Sequence, residues 1–320
     1  MKRIVLLLVT LLVCGYAAQA QSELPFAQYQ MALGYYNPAS AGRSGNLDVI
    51  ALYRLQWMGW TNAPKTYVVN AGMPFRFQKK EHGVGVVVVS DNISSLYKDL
   101  SAGLQYAYLK KVGKGTLRVG IQLGMVSRTA GGDLIITPDS TDTSGGNDEA
   151  IPASKIETKV FDANAGIYYA TDKWYVGLAV MHILEPKMED ENLYTYINRG
   201  YNFIGGYNIR LNNPLIELQP SVFVQTNFNT YRADVTARAV YARKYSAGLS
   251  CRMNENRLAD AVVWMLGATF GKIEGGYAFD MPLSNVGRGT AGSHELFLKY
   301  RLDINKPKTG KSKHKSVRIL

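Results

Sequence analysis

The chain has 320 residues, a formal net charge of +11 and two cysteines, Cys14 and Cys251. Because Cys14 lies in an expected leader peptide, one cysteine remains in the mature chain, which excludes an intramolecular disulfide. Removing the leader residues Lys2 and Arg3 leaves +9, and residues 303–320 hold six Lys or Arg against one acid, so about +4 remains for the body. The charge therefore indicates a basic tail and not the folded basic face that nucleic-acid binding needs.

The first 20 residues are organised like a secretory signal. Two basic residues precede an apolar run over 4–13, and a small-x-small cleavage site ends at Ala20. An apolar run this short cannot form a spanning helix, which needs about 20 residues. A lipoprotein signal at Cys14 is the weaker alternative, because the preceding residue, Val13, is not small. We predict a signal peptide over 1–20 and an exported mature chain that has no membrane-spanning helix.

Residues 21–46 form a predicted irregular lead-in, because Gly, Pro and Asn recur there without a period. This lead-in either stays in the periplasm or enters a barrel lumen as a plug. From residue 47 to residue 302, segments with a two-residue period predict β-strands. The predicted strands span 47–57, 65–72, 83–90, 99–109, 116–127, 159–170, 173–183, 201–210, 215–227, 232–241, 245–252, 259–271, 273–280 and 293–302.

The alternation is clearest in the fifth segment. Leu117, Val119 and Ile121 share one face of it, and Arg118 and Gln122 share the other. Segments of about ten residues with this period are typical of tilted strands that cross a bilayer, and an even strand number puts both ends on one side. The sequence predicts an all-β fold: a transmembrane antiparallel up-and-down β-barrel of about 14 strands, of the outer-membrane type.

Connection lengths support the barrel independently. The two longest connections, 128–158 and 184–200, follow odd-numbered strands, whereas most connections after even-numbered strands are short turns. Outer-membrane barrels combine short periplasmic turns with long outer loops. One connection departs from this rule, because residues 73–82 form a moderately long predicted loop on the periplasmic side. We predict a multi-pass protein of the Gram-negative outer membrane with both termini in the periplasm.

Catalytic and metal-binding patterns are weak. His294 and Glu295 look like the start of a zinc-binding helix motif, but a second histidine is missing at the required spacing. The acidic residues of the 128–158 connection lack the regular ligand spacing of a calcium loop. A serine–histidine–acid set cannot be argued either. We predict no catalytic, cofactor-binding or metal-binding residue and no enzyme, with a rim-site hydrolase as the remote alternative.

Charged residues on the polar faces of the strands are expected to point into the lumen. They are Arg54, Arg118, Asp162, Glu217, Arg232, Asp234, Arg238, Glu274 and Glu295. We favour a hydrated interior in which these charges pair with each other. The alternatives are a selective pore or a docking surface for a plug.

The chain ends in a basic tail, residues 303–320, which we predict to hang in the periplasm after the last strand. Its six basic residues are Lys306, Lys308, Lys311, Lys313, Lys315 and Arg318. Such a tail either is a solvated end or binds an acidic partner or anionic lipid.

Several stretches together resemble one family, the PorP/SprF-type outer-membrane proteins of the type IX secretion and gliding-motility machinery. The stretches are Gln28-Tyr29, Tyr36-Asn37-Pro38-Ala39-x-Ala41-Gly42, Arg54-x-Gln56-Trp57-x-Gly59, Ala63-Pro64-Lys65-Thr66, Leu218-x-Pro220-Ser221 and Gly292-Ser293-His294-Glu295-Leu296-x-Leu298-x-Tyr300. The resemblance covers nearly the whole mature chain, and the lysine-rich tail departs from it.

The resemblance implies a non-enzymatic component that works with outer-membrane lipid and with periplasmic ring or peptidoglycan-binding subunits. It also implies, for some members, export or surface attachment of adhesin cargo. The hypothesis is an assembly protein that ties the secretion machine or its cargo to the outer membrane. The alternative is a porin-like channel for small solutes, with a selectivity that depends on Arg118 or Arg238.

Overall fold

A computed structural model describes residues 24–93, 97–130, 156–190 and 193–304. The predicted signal peptide and the six basic residues of the predicted tail lie outside the described residues. The strands are β1 (Leu47–Leu55), β2 (Lys65–Phe77), β3 (Lys80–Asn92), β4 (Tyr97–Val112), β5 (Gly115–Ala130), β6 (Ile156–Ala170), β7 (Trp174–Met181), β8 (Lys187–Asp190), β9 (Leu193–Tyr196), β10 (Gly200–Tyr207), β11 (Ile209–Arg210), β12 (Ile216–Thr226), β13 (Tyr231–Tyr241), β14 (Tyr245–Asn254), β15 (Arg257–Phe270), β16 (Ile273–Pro282) and β17 (Ser293–Leu302).

Fourteen of these strands form one closed antiparallel barrel. Each barrel strand pairs with the next along the chain, and β1 closes the barrel against β17 from Leu47 opposite Leu302 to Leu55 opposite His294. Strands β8 and β9 form a separate hairpin within the connection from β7 to β10. Closure satisfies the backbone of the first and last strands, which a hydrocarbon surrounding requires. The predicted 14-stranded barrel is confirmed.

The barrel has two different ends. We call the end where β1 begins and β17 ends the terminal rim, and the opposite end the loop rim. The terminal rim carries the short connections 78–79, 113–114, 171–173, 211–215, 242–244 and 271–272, whereas the loop rim carries longer ones such as 56–64, 182–199 and 283–292. The longest connections therefore lie on the loop rim as expected, although the short turns 227–230 and 255–256 lie there too.

The predicted loop over 73–82 is wrong. Strands β2 and β3 continue through it and remain paired from Met73 opposite Val84 to Phe77 opposite Lys80. Gln78 and Lys79 alone form the turn, with φ of 49° and 64°; a positive φ at both positions is what a two-residue type I′ hairpin turn requires. Irregular alternation hid these strand ends in the sequence, while ladder hydrogen bonds from the neighbouring strand hold them in place.

The wall is apolar outside and polar inside. Leu104 is 71% exposed and Leu123 is 52% exposed, whereas the inward Gln105 is 3% exposed. A protein in water buries its apolar side chains and exposes its charges, so this inversion indicates a hydrocarbon surrounding. Aromatic side chains such as those of Tyr241 and Tyr245 stand exposed beside the terminal rim, as in an interfacial girdle.

Residues 24–46, which we call the plug, fold back into the barrel. The plug contains one helical turn, Leu33–Tyr36, and a 3-10 turn, Pro38–Ser40. No helix among the described residues has the length and apolarity to cross a membrane. The main apolar core joins plug side chains to inward side chains of the wall: Phe26, Tyr29, Ala32, Leu33, Tyr36 and Ala39 against Leu52, Val68, Val87, Val89, Tyr168, Ile204, Phe223 and Phe297. Of the two places expected for the lead-in, the described part occupies the lumen.

Candidate functional site

A single carboxylate holds the start of the plug. Glu295 Oε2 accepts the backbone N–H of Ala27 at 2.8 Å, and Oε1 accepts that of Gln28 at 2.7 Å. The side chain is completely buried and also lies 3.4 Å from Arg54 Nη1. Charge-assisted bonds to buried backbone donors are about twice as strong as neutral ones. Glu295 therefore connects the last strand to the plug across 268 residues of sequence.

Glu295 belongs to a chain of alternating charges near the loop rim. The Arg54 and Asp280 side chains are 2.8 Å apart, and Arg252 contacts both Asp280 and Asp234. Arg232 then pairs with Asp234 at 2.7 Å and donates to the plug carbonyl of Phe26 at 2.6 Å. The six members, Glu295, Arg54, Asp280, Arg252, Asp234 and Arg232, balance three acids against three bases and are at most 8% exposed. We call this set the buried charge network.

The favoured expectation holds in part for this half of the lumen, because the charges pair with each other as expected. The network is buried and not hydrated, however, and its end members Glu295 and Arg232 bind the plug backbone. Sequence analysis missed Arg252 and Asp280, although both lie on inward positions close to the loop rim. Opposite charges on neighbouring strands, at the same distance from the loop rim, are the sequence signal that could have identified them.

The opposite wall meets the plug with arginine and glycine. Arg118 donates to the Ala41 carbonyl at 2.9 Å and to the Gly42 carbonyl at 3.1 Å. A Cβ at Gly83 would overlap the Ala41 carbonyl oxygen, and one at Gly120 would overlap the backbone of Ala39. Only residues without side chains let the two backbones approach this closely.

Amide and hydroxyl groups fasten the middle of the plug. Asn37 Nδ2 donates to the carbonyls of Ile167 at 3.0 Å and Leu178 at 3.2 Å, so it joins β6 to β7. Asn202 Nδ2 donates to the Tyr36 carbonyl at 3.1 Å. The Tyr29 hydroxyl lies 2.7 Å from Ser221 Oγ. The plug thus has polar contacts with strands around the whole barrel.

Tyr36 is a completely buried titratable group of the plug. Its hydroxyl donates to the Leu24 carbonyl at 2.6 Å and accepts the Phe26 N–H at 3.1 Å. Burial raises the pKa of Tyr36 to about 12, because the tyrosinate would lose its hydration. The neutral phenol is therefore the form that closes the plug on itself.

The resemblance residues of the plug lie at its centre and its exit. Tyr36, Asn37 and Pro38 occupy the two helical turns, and Asn37 Oδ1 also accepts the Ala39 N–H at 2.9 Å. Gly42 has φ of +65°, and a Cβ there would overlap the backbone of Met73. Each position is thus used in packing the plug against the wall.

The resemblance residues of the wall meet at the loop rim. Trp57 N–H donates to Ser293 Oγ at 3.1 Å, and Gln56 N–H donates to the Pro64 carbonyl at 2.9 Å. Gly292 turns the chain with φ of +83° and accepts the Met58 N–H at 2.8 Å. These contacts align Arg54 with Glu295 across the closing strand pair.

The remaining resemblance residues lie apart from that cluster. Pro220 stands opposite Ala237 in the β12–β13 ladder, next to the plug-binding Ser221. His294 has its Nδ1 2.6 Å from the hydroxyl of Tyr277, which is exposed on the outer wall, whereas the neighbouring Glu295 is buried against the plug. Among the described residues, no group of three or more His, Cys, Asp or Glu side chains could hold a metal.

The connection from β7 to β10 folds back over the loop-rim side of the lumen. His182 Nδ1 lies 2.7 Å from the inward Asp162, and the His182 N–H donates to Asn164 Oδ1 at 2.7 Å. Met188 and Ile197 pack on inward side chains of β5 and β6. This connection is one of the expected long outer loops, and it adds cover above the plug.

The terminal-rim half of the lumen is wide and open by contrast. A cavity of about 800 Å³ opens there, bounded by plug residues Met31 and Gly42. We call it the vestibule. Its charged lining residues are Arg43, Arg76, Lys114, Arg118, Arg238, Lys299 and Arg301 against Asp48, Glu81 and Asp172. The lining therefore carries four more positive than negative charges.

Positive charge also surrounds the mouth of the vestibule. The exposed basic residues in and beside the terminal-rim turns, which we call the basic rim, are Arg76, Lys79, Lys80, Lys110, Lys111, Lys114, Lys173, Arg210, Arg243, Lys244, Lys272 and Arg301. In the described part of these turns, the exposed acids are Glu81, Asp172 and Asp303. The net charge of the body is low, so the sequence did not reveal this concentration of positive charge. Nine Asp or Glu in residues 131–155 and 182–199, which follow β5 and β7, offset it in the total.

Comparison with known proteins adds the family. The model of the type IX secretion system membrane protein PorP/SprF family matches residues 18–300. Among curated proteins, none matches the chain. That family match covers the plug and every strand of the barrel except the last two residues of β17.

Solved structures that resemble the chain are outer-membrane proteins. The toluene transporter TbuX of Ralstonia pickettii has 11% identity over 84% of this chain and 92% of that chain, with a TM-score of 0.47. The toluene transporter TodX of P. putida has 9% identity over 83% and 92%, with a TM-score of 0.43. A FadL homologue of Pseudomonas aeruginosa has 13% identity over 79% and 87%, with a TM-score of 0.41.

Likeness at these scores says nothing about what this chain binds. The family match, by contrast, spans most of the sequence. The chain therefore belongs to the PorP/SprF family of type IX secretion system membrane proteins.

Proposed function

We propose that this outer-membrane barrel is a non-enzymatic assembly component that anchors the periplasmic secretion complex, or supports export and surface attachment of cargo, through its terminal rim. The observation that carries the proposal is the basic rim around the mouth of the vestibule. A ring of one sign of charge attracts a partner of the opposite sign and orients it during encounter.

The proposed orientation puts the terminal rim, and with it residue 302, in the periplasm. Short turns on the terminal rim and long connections on the loop rim support it, because outer-membrane barrels have this asymmetry. The basic tail starts from the same rim, so Lys306, Lys308, Lys311, Lys313, Lys315 and Arg318 extend its positive charge. We propose that the tail contributes to binding a periplasmic ring or peptidoglycan-binding subunit.

Affinity purification from mild detergent tests this function. We expect the tagged protein to retain periplasmic secretion subunits that mass spectrometry identifies. Reversing Lys79, Lys80, Lys110 and Lys111 to Glu should release these subunits while the barrel still inserts in the outer membrane. Truncation after Asp303 should weaken the association further. Identical co-purification by the reversed and unchanged proteins would contradict a role for the basic rim.

A channel for small solutes is the second candidate, and the vestibule is the observation that favours it. The plug contacts β17 through Glu295 and β5 through Arg118, so it bridges distant parts of the wall. We therefore expect silent planar bilayers. Steady conductance whose selectivity changes with Arg238→Gln would support the channel, and Arg238 is the cleaner probe because Arg118 also holds the plug.

A further inference from the structure

The vestibule contains cations whose charge is only partly neutralised. Arg43 donates to the Tyr168 hydroxyl at 3.3 Å. Lys114 has no acidic partner within the described part of the chain. Lys299 and Arg301 share the single carboxylate of Asp48, at 3.2 Å from each. The cavity therefore keeps a net positive charge that is available to a ligand.

The walls of the vestibule strengthen the electric field of these cations. A cleft lined by one sign of charge and bounded by low-dielectric walls focuses the field and raises the local concentration of opposite charges. The volume of about 800 Å³ falls within the range of roughly 300–1,000 Å³ that is usual for ligand pockets. The plug closes the inner side with Met31 and Gly42, so the opening is toward the terminal rim.

The position of the vestibule inside the barrel favours a partner's protein segment as its ligand over lipid or the chain's own tail. Lipid headgroups lie outside the barrel wall, whereas Arg43, Lys114 and Lys299 line the inside. The protein's own tail cannot neutralise these residues, because all the charged side chains of residues 306–318 are positive. An extended chain with carboxylates can enter through the mouth and pair with several cations at once.

We propose that the vestibule binds an acidic segment of a partner protein that enters from the terminal rim. This inference rests on the proposed function, since it needs partners on that side of the membrane. It names the chemistry of the contact: Asp and Glu carboxylates against Arg43, Lys114 and the Lys299–Arg301 pair.

The test uses the purified full chain in a non-ionic detergent and a short fluorescent peptide of alternating Asp and Ser. Fluorescence anisotropy should show saturable binding that weakens with salt, and the matched Asn–Ser peptide should not bind. The double variant Arg43→Gln, Lys114→Gln should weaken binding about tenfold, because each lost ion pair changes affinity several-fold. The single variant Lys114→Gln gives a smaller loss without touching the plug.

The matched control is Arg243→Gln, Lys244→Gln, which removes the same charge from the basic rim outside the vestibule. We expect less than about a twofold change, because these exposed charges act only at a distance. Equal losses in both double variants, or no saturable binding at all, would overturn the vestibule as the site. Binding to anionic vesicles that depends on Arg43 and Lys114 would assign the site to lipid instead.

Co-purification separates this inference from the proposed function. If the peptide binds but no secretion subunit is retained, the proposed function is contradicted and the vestibule remains the binding site. If secretion subunits are retained but the vestibule variant binds the peptide as well as the unchanged protein does, the vestibule is contradicted as the site and the proposed function stands.

Discussion

The two halves of the lumen use charge in opposite ways. Near the loop rim, the buried charge network is neutral and binds the plug backbone through Glu295 and Arg232. Near the terminal rim, the vestibule is open and carries excess positive charge on exposed residues such as Arg43 and Arg301. Buried charges are stable only when they are paired and hydrogen-bonded, whereas charges in contact with water tolerate an excess of one sign.

The difference separates structural from interacting surfaces. The wall and the plug enclose the buried charge network, so an external partner cannot reach those side chains. Arg43, Lys114 and Arg301 of the vestibule are exposed to solvent, and a partner could replace the water around them. Substitutions near the loop rim should therefore lower the free energy of unfolding more than substitutions in the vestibule do.

The largest expected effect is that of Glu295→Ala. It leaves the N–H groups of Ala27 and Gln28 without their acceptor and Arg54 with one carboxylate fewer, at a cost of about 3–5 kcal/mol. Thermal or denaturant unfolding in detergent measures this loss. The matched variant Glu274→Ala breaks the pair with Arg238, in which the side chains are 16–19% exposed, and should cost about 1–2 kcal/mol, between the values for exposed and fully buried pairs. Equal costs would contradict the contrast between the two halves.

Gly120→Ala should have the next largest effect. Its methyl group would overlap the plug backbone at Ala39, so the plug must shift, at a cost of about 1–3 kcal/mol. Faster tryptic cleavage at Arg43 and new conductance in planar bilayers would report the displaced plug. Gly275→Ala is the control, because its nearest neighbour is 3.7 Å away. If both variants resist trypsin equally, the contact at Gly120 does not hold the plug.

Tyr36→Phe should cost about 1 kcal/mol, because it removes the hydrogen bonds with the Leu24 carbonyl and the Phe26 N–H. The folded pKa of about 12 exceeds the value of 10.0 for a free tyrosine. The stabilising contribution is therefore complete below about pH 10 and is lost as the pH rises through about 12. Unfolding measured across this range should depend less on pH in the variant, and identical slopes would argue against a buried phenol.

Glu81→Gln should have the smallest effect. The Arg76–Glu81 pair lies at the terminal rim with side chains 79% and 46% exposed, so solvent screens it. We expect a change below about 0.5 kcal/mol in the free energy of unfolding. A loss as large as that of Glu295→Ala would show that rim charges also support the fold.

Local patterns determined the barrel. The two-residue period around Leu117, Val119 and Ile121 depends only on neighbours along the chain, and it predicted the outward face of β5. Connection lengths likewise predicted the two rims. Strand ends were less predictable, as residues 73–82 show, because pairing with an adjacent strand extended them beyond their own alternation.

Tertiary structure alone decided what the inward residues do. The sequence marked Arg54, Arg118 and Glu295 as lumen charges, but Glu295 meets Ala27 only because β1 and β17 close the barrel. The concentration of positive charge at the terminal rim likewise arises from six turns that are far apart in sequence. Alternation and turn length are local properties, whereas the partners of an inward side chain depend on closure, register and the path of the plug.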